Sequence, residues 1–379
     1  MSWPFSKKET STVVVIDIRT SSISAGYVYL KKGALPYLLH SVQFPVDPHA
    51  TEPLSDAMPR TLELVLTSLI SSGTEVLSKK GLSTSTDRIL ISISSPWQAS
   101  HIASVKSEQE KTFAFTESVL EHMTSEVIQA KEGRKVVSQL VLSTFLNGYE
   151  TQNAFGKEAK TVEIITLSTD MDEKVHDLIR TIVKKAFHQS HIDTYAFLPE
   201  LYAVLKEVLP SQREYLVCDV GSDATDLILI KHGLLLSSAV QKSGIRNILD
   251  AVHKSGLSTH TIPTTEGTPA DATGATFQHA TETAKNAWVA ELKDTLSSIA
   301  KEEPLPRMMC IVTEPAVSEF VKRLLDAPEL RSLWLSDEPL TLVPLTANAL
   351  LERVASGDQT RHPFPLYVLA VSSQKRYGV

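Results

Sequence analysis

Residues 215–230 read YLVCDVGSDATDLILI. Aliphatic and β-branched residues flank a short turn of small ones, a pattern that predicts two paired strands. The first strand ends on Asp219, and the turn and the start of the second carry Gly221, Ser222, Thr225 and Asp226. A turn of small residues lets backbone N–H groups approach phosphate oxygens, and a carboxylate at a strand end can hold Mg²⁺ through water. A plain β-hairpin has the same alternation. Near the N-terminus the arrangement recurs: Val13–Ile18 and Ile23–Leu30 flank a turn in which Asp17 is followed by Arg19, Thr20, Ser21 and Ser22.

Working outward from these two hairpins, helical and strand periodicities alternate. Apolar positions Leu62, Leu66, Leu69, Ile70 and Leu77 predict an amphipathic helix from Pro59 to Lys80, and Arg88–Ser94 returns to strand. The following hundred residues read as a compact α+β module. In it a strand at His101–Val105 precedes a helix capped by Thr116 that runs to about Lys131, strands at Val136–Leu146 and Thr161–Ser168 follow, and a helix closes it near Gln189. Pro199–Leu209 predicts a helix with proline in its first turn. Ser255–Thr276, rich in Thr, Pro, Gly and Ala, predicts a flexible loop. Further helices are expected at Ile245–Lys254, Phe277–Ala300, Ala316–Leu325 and Ala347–Val354, with strands at Met308–Val312 and Leu340–Pro344. Periodicity leaves Pro363–Ser373 open between strand and helix.

The 379 residues allow two or three domains, each able to bury a core. A composition of 42% hydrophobic and 21% charged residues excludes a disordered, collagenous or disulfide-scaffold protein. The net charge of −7 supplies no global basic field for nucleic acid. Cys218 and Cys310, the only cysteines, sit in apolar strand runs and are expected as buried thiols in a reducing compartment. No apolar run reaches the length of a membrane span, and the first residues lack a signal-peptide core, so a cytoplasmic protein is expected. His188 and His191 flank a helix end and read as surface residues. Gly-x-Ser-x-Gly, the nucleophile elbow, does not occur.

The paired turns resemble the two phosphate loops of the actin-like ATPase superfamily, and the second matches its Asp-x-Gly-x-x-x-Thr-Asp pattern at Asp219, Gly221, Thr225 and Asp226. Within it the order of elements is most similar to the cell-division protein FtsA, and then to PilM of type IV pilus machines. Pro199–Leu205 resembles the helix that connects the halves, and residues 87–189 resemble the SHS2 module that both proteins insert. The resemblance implies an α/β, actin-like (ribonuclease-H-like) two-domain fold with a reduced second-half subdomain. Its first half is 1–86 with 190–212 and 355–379, and its second is 213–354 with the loop at 255–276. It implies ATP and Mg as cofactors: Asp17, Arg19, Thr20, Ser21, Asp219, Gly221, Ser222, Thr225 and Thr313 at the nucleotide, and Asp17, Asp219 and Asp226 on Mg through water. Glu200 is the one carboxylate to expect near an attacking water, its alternative being a solvated residue of the first helical turn.

Three positions depart from that pattern. Arg19 stands where the superfamily has glycine, and either pairs with the nucleotide's charge or fills the site. Thr313-Glu314-Pro315 replaces the paired glycines that pack on adenine, adding a charge and a fixed φ. The loop at 255–276 replaces most of the fourth subdomain. The chain stops at Gln374–Val379, with too few residues for the amphipathic membrane helix of FtsA. Trp3, Phe5, Lys7 and Lys8 read as a disordered leader, the alternative being a headgroup contact. The resemblance therefore implies an adaptor or filament subunit of the division septum, or a non-hydrolysing module of the PilM type. It would self-associate through its halves and module, bind tubulin-like FtsZ or an inner-membrane pilus peptide, and lie at the membrane only through partners.

Overall fold

In the computed structural model, residues 9–48, 52–127, 132–254, 272–301, 303–334, 338–357 and 362–378 are described. The chain opens with β1 (Thr10–Ile18), β2 (Ser22–Lys31) and β3 (Tyr37–Pro45), followed by α1 (Leu54–Lys79) and β4 (Arg88–Ile93). β1 lies inside its sheet, antiparallel to β2 and parallel to β4, and both of its faces are buried, which its unbroken β-branched run suits. α1 starts five residues before the expected Pro59, which sits within the helix and removes one ladder N–H. Gly73 lets α1 lie close on the sheet, since a Cβ there would come 2.4 Å from the Tyr27 ring.

The next segment builds its own four-stranded antiparallel sheet. β5 (Gln98–Ala114), α2 (Glu117–Val127), β6 (Arg134–Leu146), β7 (Tyr149–Glu150), β8 (Glu158–Asp172) and α3 (Glu173–Phe187) follow in turn, with strand order β5-β8-β6-β7. The strands outrun their expected lengths because β8 pairs along both of its sides. A small core of Phe115, Met123, Leu146, Val162 and Ile164 holds the far end together.

β9 (Ile192–Ala196) returns to the first sheet, and α4 (Phe197–Val208) leads out of it. The second sheet is made by β10 (Tyr215–Val220), β11 (Thr225–Lys231) and β12 (Leu234–Gln241), then α5 (Arg246–Lys254), α6 (Ala272–Ala300), β13 (Met308–Val312), α7 (Ser318–Leu325), α8 (Pro328–Arg331) and β14 (Thr341–Pro344). Residues 272–276, expected as loop, are the first turn of α6, and the rest of that loop lies outside the described residues, as do Trp3, Phe5, Lys7, Lys8 and the expected end of α2. The helix expected at Ala347–Val354 is a single 3-10 turn, Ala347–Leu350. β15 (Ala355–Ser356) joins the edge of the first sheet, and the ambiguous tail is helix α9 (Phe364–Tyr377).

The two large sheets repeat one order. β3-β2-β1-β4-β9 in the first corresponds to β12-β11-β10-β13-β14 in the second, each opening with a hairpin whose first strand lies at the centre. One continuous core joins them: Val13, Val15 and Leu90 of the first and Val217, Ile228, Cys310 and Val312 of the second pack with α4 and α9. The opposite face of the first sheet is covered by α1 and α3, and that of the second by α5, α6 and α7. Cys218 and Cys310 are unpaired and buried, as expected. No described helix is long and apolar enough to cross a membrane.

Candidate functional site: a cleft closed by a buried arginine

Strand alternation decides which side chains enter the space between the sheets. Successive residues of a strand point to opposite faces. On β1, Val13 and Val15 face the shared core while Val14, Ile16 and Ile18 face α1, so Asp17 continues the shared-core row. On β10, Tyr215 and Val217 place Asp219 on that row, and on β11 Ile228 and Ile230 do the same for Asp226. Ser92 follows Leu90 on β4 by the same rule. Thr225 has the opposite parity, and its hydroxyl donates to the Ser243 carbonyl at 3.1 Å, away from the carboxylates.

Arg19 fills the centre. Its Nε donates to Asp17 Oδ2 at 2.8 Å and its Nη1 to Asp219 Oδ1 at 2.7 Å, so one guanidinium ties the first sheet to the second. The guanidinium lies 4.2 Å over the ring of Phe197, and the residue is only 7% exposed. Ser92 Oγ holds the other oxygen of Asp17 at 2.5 Å. Asp226 is met by the amide of Ser95 at 3.2 Å and its hydroxyl at 2.6 Å. Arg19 Nη2 and Asp219 Oδ2 are buried without a hydrogen-bond partner among the described residues.

One cation therefore serves three buried carboxyls. Burial pushes Asp17 and Asp219 up, against the guanidinium, which draws both down. Burial and the neighbouring Asp219 push Asp226 up to about 7. For Arg19, burial favours the neutral form, but Asp219 and Asp17 outweigh it and raise its pKa. A proton on Asp226 brings the formal charge of Arg19 and the three carboxyls from −2 to −1, which lowers the cost of burying them together.

Further ties run between the sheets. Glu314, just beyond β13, accepts from the hydroxyls of Ser21 at 3.0 Å and Ser22 at 2.7 Å, while Gln43 Nε2 donates to Ser22 Oγ at 2.8 Å. The amide of Asp223 donates to Thr20 Oγ1 at 3.3 Å. Arg246, salt-bridged to Asp223, donates from Nη2 to the Thr20 carbonyl at 3.3 Å. Ser222 accepts the Arg246 amide through its carbonyl, and Gly244 presses on the same turn, where a Cβ would lie 2.3 Å from the Gly221 carbonyl oxygen. Thr313 donates to the Val220 carbonyl at 3.2 Å. The expected phosphate-loop residues are thus brought together, and each is bonded to protein.

Glu200 is elsewhere. Its carboxylate pairs with Arg376 near the end of α9 at 2.5 Å, and Arg376 stacks at 3.8 Å on Tyr195. It is buried, not a solvated helix-start residue, and the structure does not join it to the Asp17–Arg19–Asp219 group. Sequence reading missed Ser92, Ser95, Phe197 and Arg246. Ser92 was recoverable from strand parity; Ser95 follows the end of β4, where no periodicity operates.

Beside Ser22 and Glu314 a cavity of about 750 Å³ opens between the sheets and the start of α9. MgATP does not fit this set of residues. The two carboxylates that would hold Mg²⁺ share a guanidinium, and no three acidic or histidine side chains among the described residues are grouped as a metal site. The serines that would face a phosphate instead present the carboxylate of Glu314. Like charge at a phosphate position opposes binding.

Neither a protein-family model nor a curated protein sequence matches the chain. Among solved structures, the PilM–PilN type IV pilus biogenesis complex is similar over 98% of this chain and 99% of that one, at TM-score 0.60 and 15% identity. The fold is that of the PilM structure, the actin-like ATPase fold. A Bacteroides thetaiotaomicron protein described as having an actin-like ATPase fold and unknown function is 12% identical over 98% of this chain and 99% of that one, at TM-score 0.43. A Ppx/GppA family member from Aquifex aeolicus is 9% identical over 98% and 100%, at TM-score 0.41. In this chain the actin-like cleft is crossed by protein side chains.

Proposed function

We propose that the chain is a non-hydrolysing actin-fold adaptor, whose two halves are held by internal ion pairs and whose work is to bind protein. The observation that carries this reading is the guanidinium of Arg19 between Asp17 and Asp219. Hinge closure around a ligand sets the relative angle of two lobes in many two-lobed proteins, and here a side chain of the protein itself makes the cross-link. The similar PilM structure is a complex with PilN, and a partner of that class, a peptide of an inner-membrane pilus component, is the partner we propose. The separate four-stranded sheet, as an SHS2-like module, supplies a second surface for partners or self-association. An FtsA-like filament subunit of the division septum, partnered by FtsZ, is the alternative; it requires a cleft that responds to nucleotide.

Affinity capture from the native host, run in parallel with MgATP, MgADP and EDTA, tests this. The adaptor reading expects the same partner in equal yield under all three conditions. Recruitment or release that follows the nucleotide would overturn it and favour the division-type reading.

A further inference from the structure

The cavity beside Glu314 has a charge and a lining that point to a ligand unlike ATP. Its volume, about 750 Å³, lies within the range of small-molecule sites. Among the described residues, two carboxylates, Asp17 and Glu314, and one guanidinium, Arg19, reach its wall, a formal sum of 1 − 2 = −1. That guanidinium is already engaged by Asp17 and by Asp219 behind it. His362 adds no charge at neutral pH, because burial, with His40 nearby, holds its pKa down at about 4. Much of the remaining wall is apolar or aromatic, including Leu345, Phe364 and Tyr367.

Glu314 is set for a charged partner. Ser21 and Ser22 both donate to Oε1, fixing the carboxylate, while Oε2 makes no hydrogen bond among the described residues. A phosphate or carboxylate ligand would meet this charge unfavourably. A hard metal ion needs several oxygen ligands, and no three His, Cys, Asp or Glu side chains among the described residues are grouped to supply them. An organic cation on an apolar stem satisfies both halves of the cavity, its charge on the carboxylate and its body against the aromatic wall.

We propose that this cavity binds an organic cation, a guanidinium or ammonium group on an apolar stem, received by Glu314. The source is either a free small amine or an arginine or lysine side chain of a bound protein. The proposal goes beyond the adaptor reading and stands without it, because a free amine would satisfy it with no protein partner.

The test titrates the full chain calorimetrically with agmatine and with the pentapeptide acetyl-Ala-Leu-Arg-Leu-Ala-amide, using its glutamine analogue as control. Saturable binding of either cation is expected, with none for the glutamine peptide. Tighter binding of the peptide assigns the site to a protein side chain, and agmatine binding as tightly or more tightly assigns it to a free amine; both outcomes support the proposal. Glu314→Gln retains an acceptor for both serines and removes only the charge, and should weaken binding by roughly tenfold or more. Ser318→Lys places a tethered ammonium on the cavity wall and should compete with the added cation. The proposal is overturned if neither probe binds at millimolar concentration, if the glutamine peptide binds equally, or if both variants bind as the natural chain does.

Discussion

The two hairpins that open the two sheets are built on one plan and used in opposite ways. In the first, the Arg19 amide donates to the Ser22 carbonyl at 3.1 Å; in the second, the Gly221 amide donates to the Ala224 carbonyl at 3.0 Å. Their registers place Asp17 opposite Ser24 and Asp219 opposite Asp226, so Arg19 and Gly221 hold equivalent positions. The second turn keeps glycine and accepts close backbone approach from Gly244. The first turn sends a guanidinium into the space that the glycine leaves open. The parallel neighbours repeat the exchange: Ser95, beyond β4, bonds Asp226 of the other hairpin, and Glu314, beyond β13, bonds Ser21 and Ser22. A duplicated frame has thus become a cleft cross-linked by its own side chains.

Removing Arg19 should break this relation most severely. Arg19→Ala leaves Asp17 and Asp219 buried without their cation and should cost about 3–5 kcal/mol, read from urea denaturation. A loss below about 1 kcal/mol, the range of exposed ion pairs, would mean that the guanidinium is not the link between the sheets.

Crowding the second turn comes next. Gly244→Ala puts a Cβ 2.3 Å from the Gly221 carbonyl oxygen and against the backbone of Ser222, so the segment must shift, at about 1–3 kcal/mol. An unchanged midpoint in the same denaturation series would show that the turn gives way freely.

Asp226 sharpens the comparison through pH. Its folded-state pKa of about 7 lies above its ordinary value of 3.8, so between them the folded chain holds a proton that the unfolded chain has released. Stability should therefore fall as pH rises from about 4 through 7, and the upward shifts of Asp17 and Asp219 carry the same sign. Asp226→Asn should flatten that slope and raise the melting temperature at pH 8. A variant that melts lower than the natural chain at pH 8 would mean that Asp226 is held ionised.

The smallest effect belongs to the Glu314 contact. Ser22→Ala removes one of the two hydroxyls on the carboxylate and the acceptor of Gln43, and should cost about 1 kcal/mol. A cost as large as that of Arg19→Ala would shift the weight of closure from the guanidinium to Glu314.

Much of this arrangement was legible in the sequence, because alternation along a strand is a strict rule and the aspartates end strands with clear apolar rows. Val13, Val15 and Leu90 set the face of Asp17 and Ser92, and Tyr215 and Val217 that of Asp219. The departures at Arg19 and Glu314 were visible as residue types, but their partners were not. Arg19 meets a carboxylate 200 positions away and Glu314 meets serines 292 and 293 positions away, pairings that only the packing of the sheets creates. Thr225 shares the motif with the aspartates but has the opposite strand parity, and its hydroxyl turns to the Ser243 carbonyl. Glu200 reads locally as solvated or catalytic because nothing nearby in the sequence announces Arg376, 176 positions on.

Calorimetric titration of the natural chain with MgATP at millimolar concentration tests the central claim most directly. With Arg19 across the carboxylates and Glu314 on the serines, no saturable heat and no change in melting temperature are expected. Binding in the micromolar range, lost in Asp219→Ala, would contradict the account by showing that the arginine yields its place to a nucleotide.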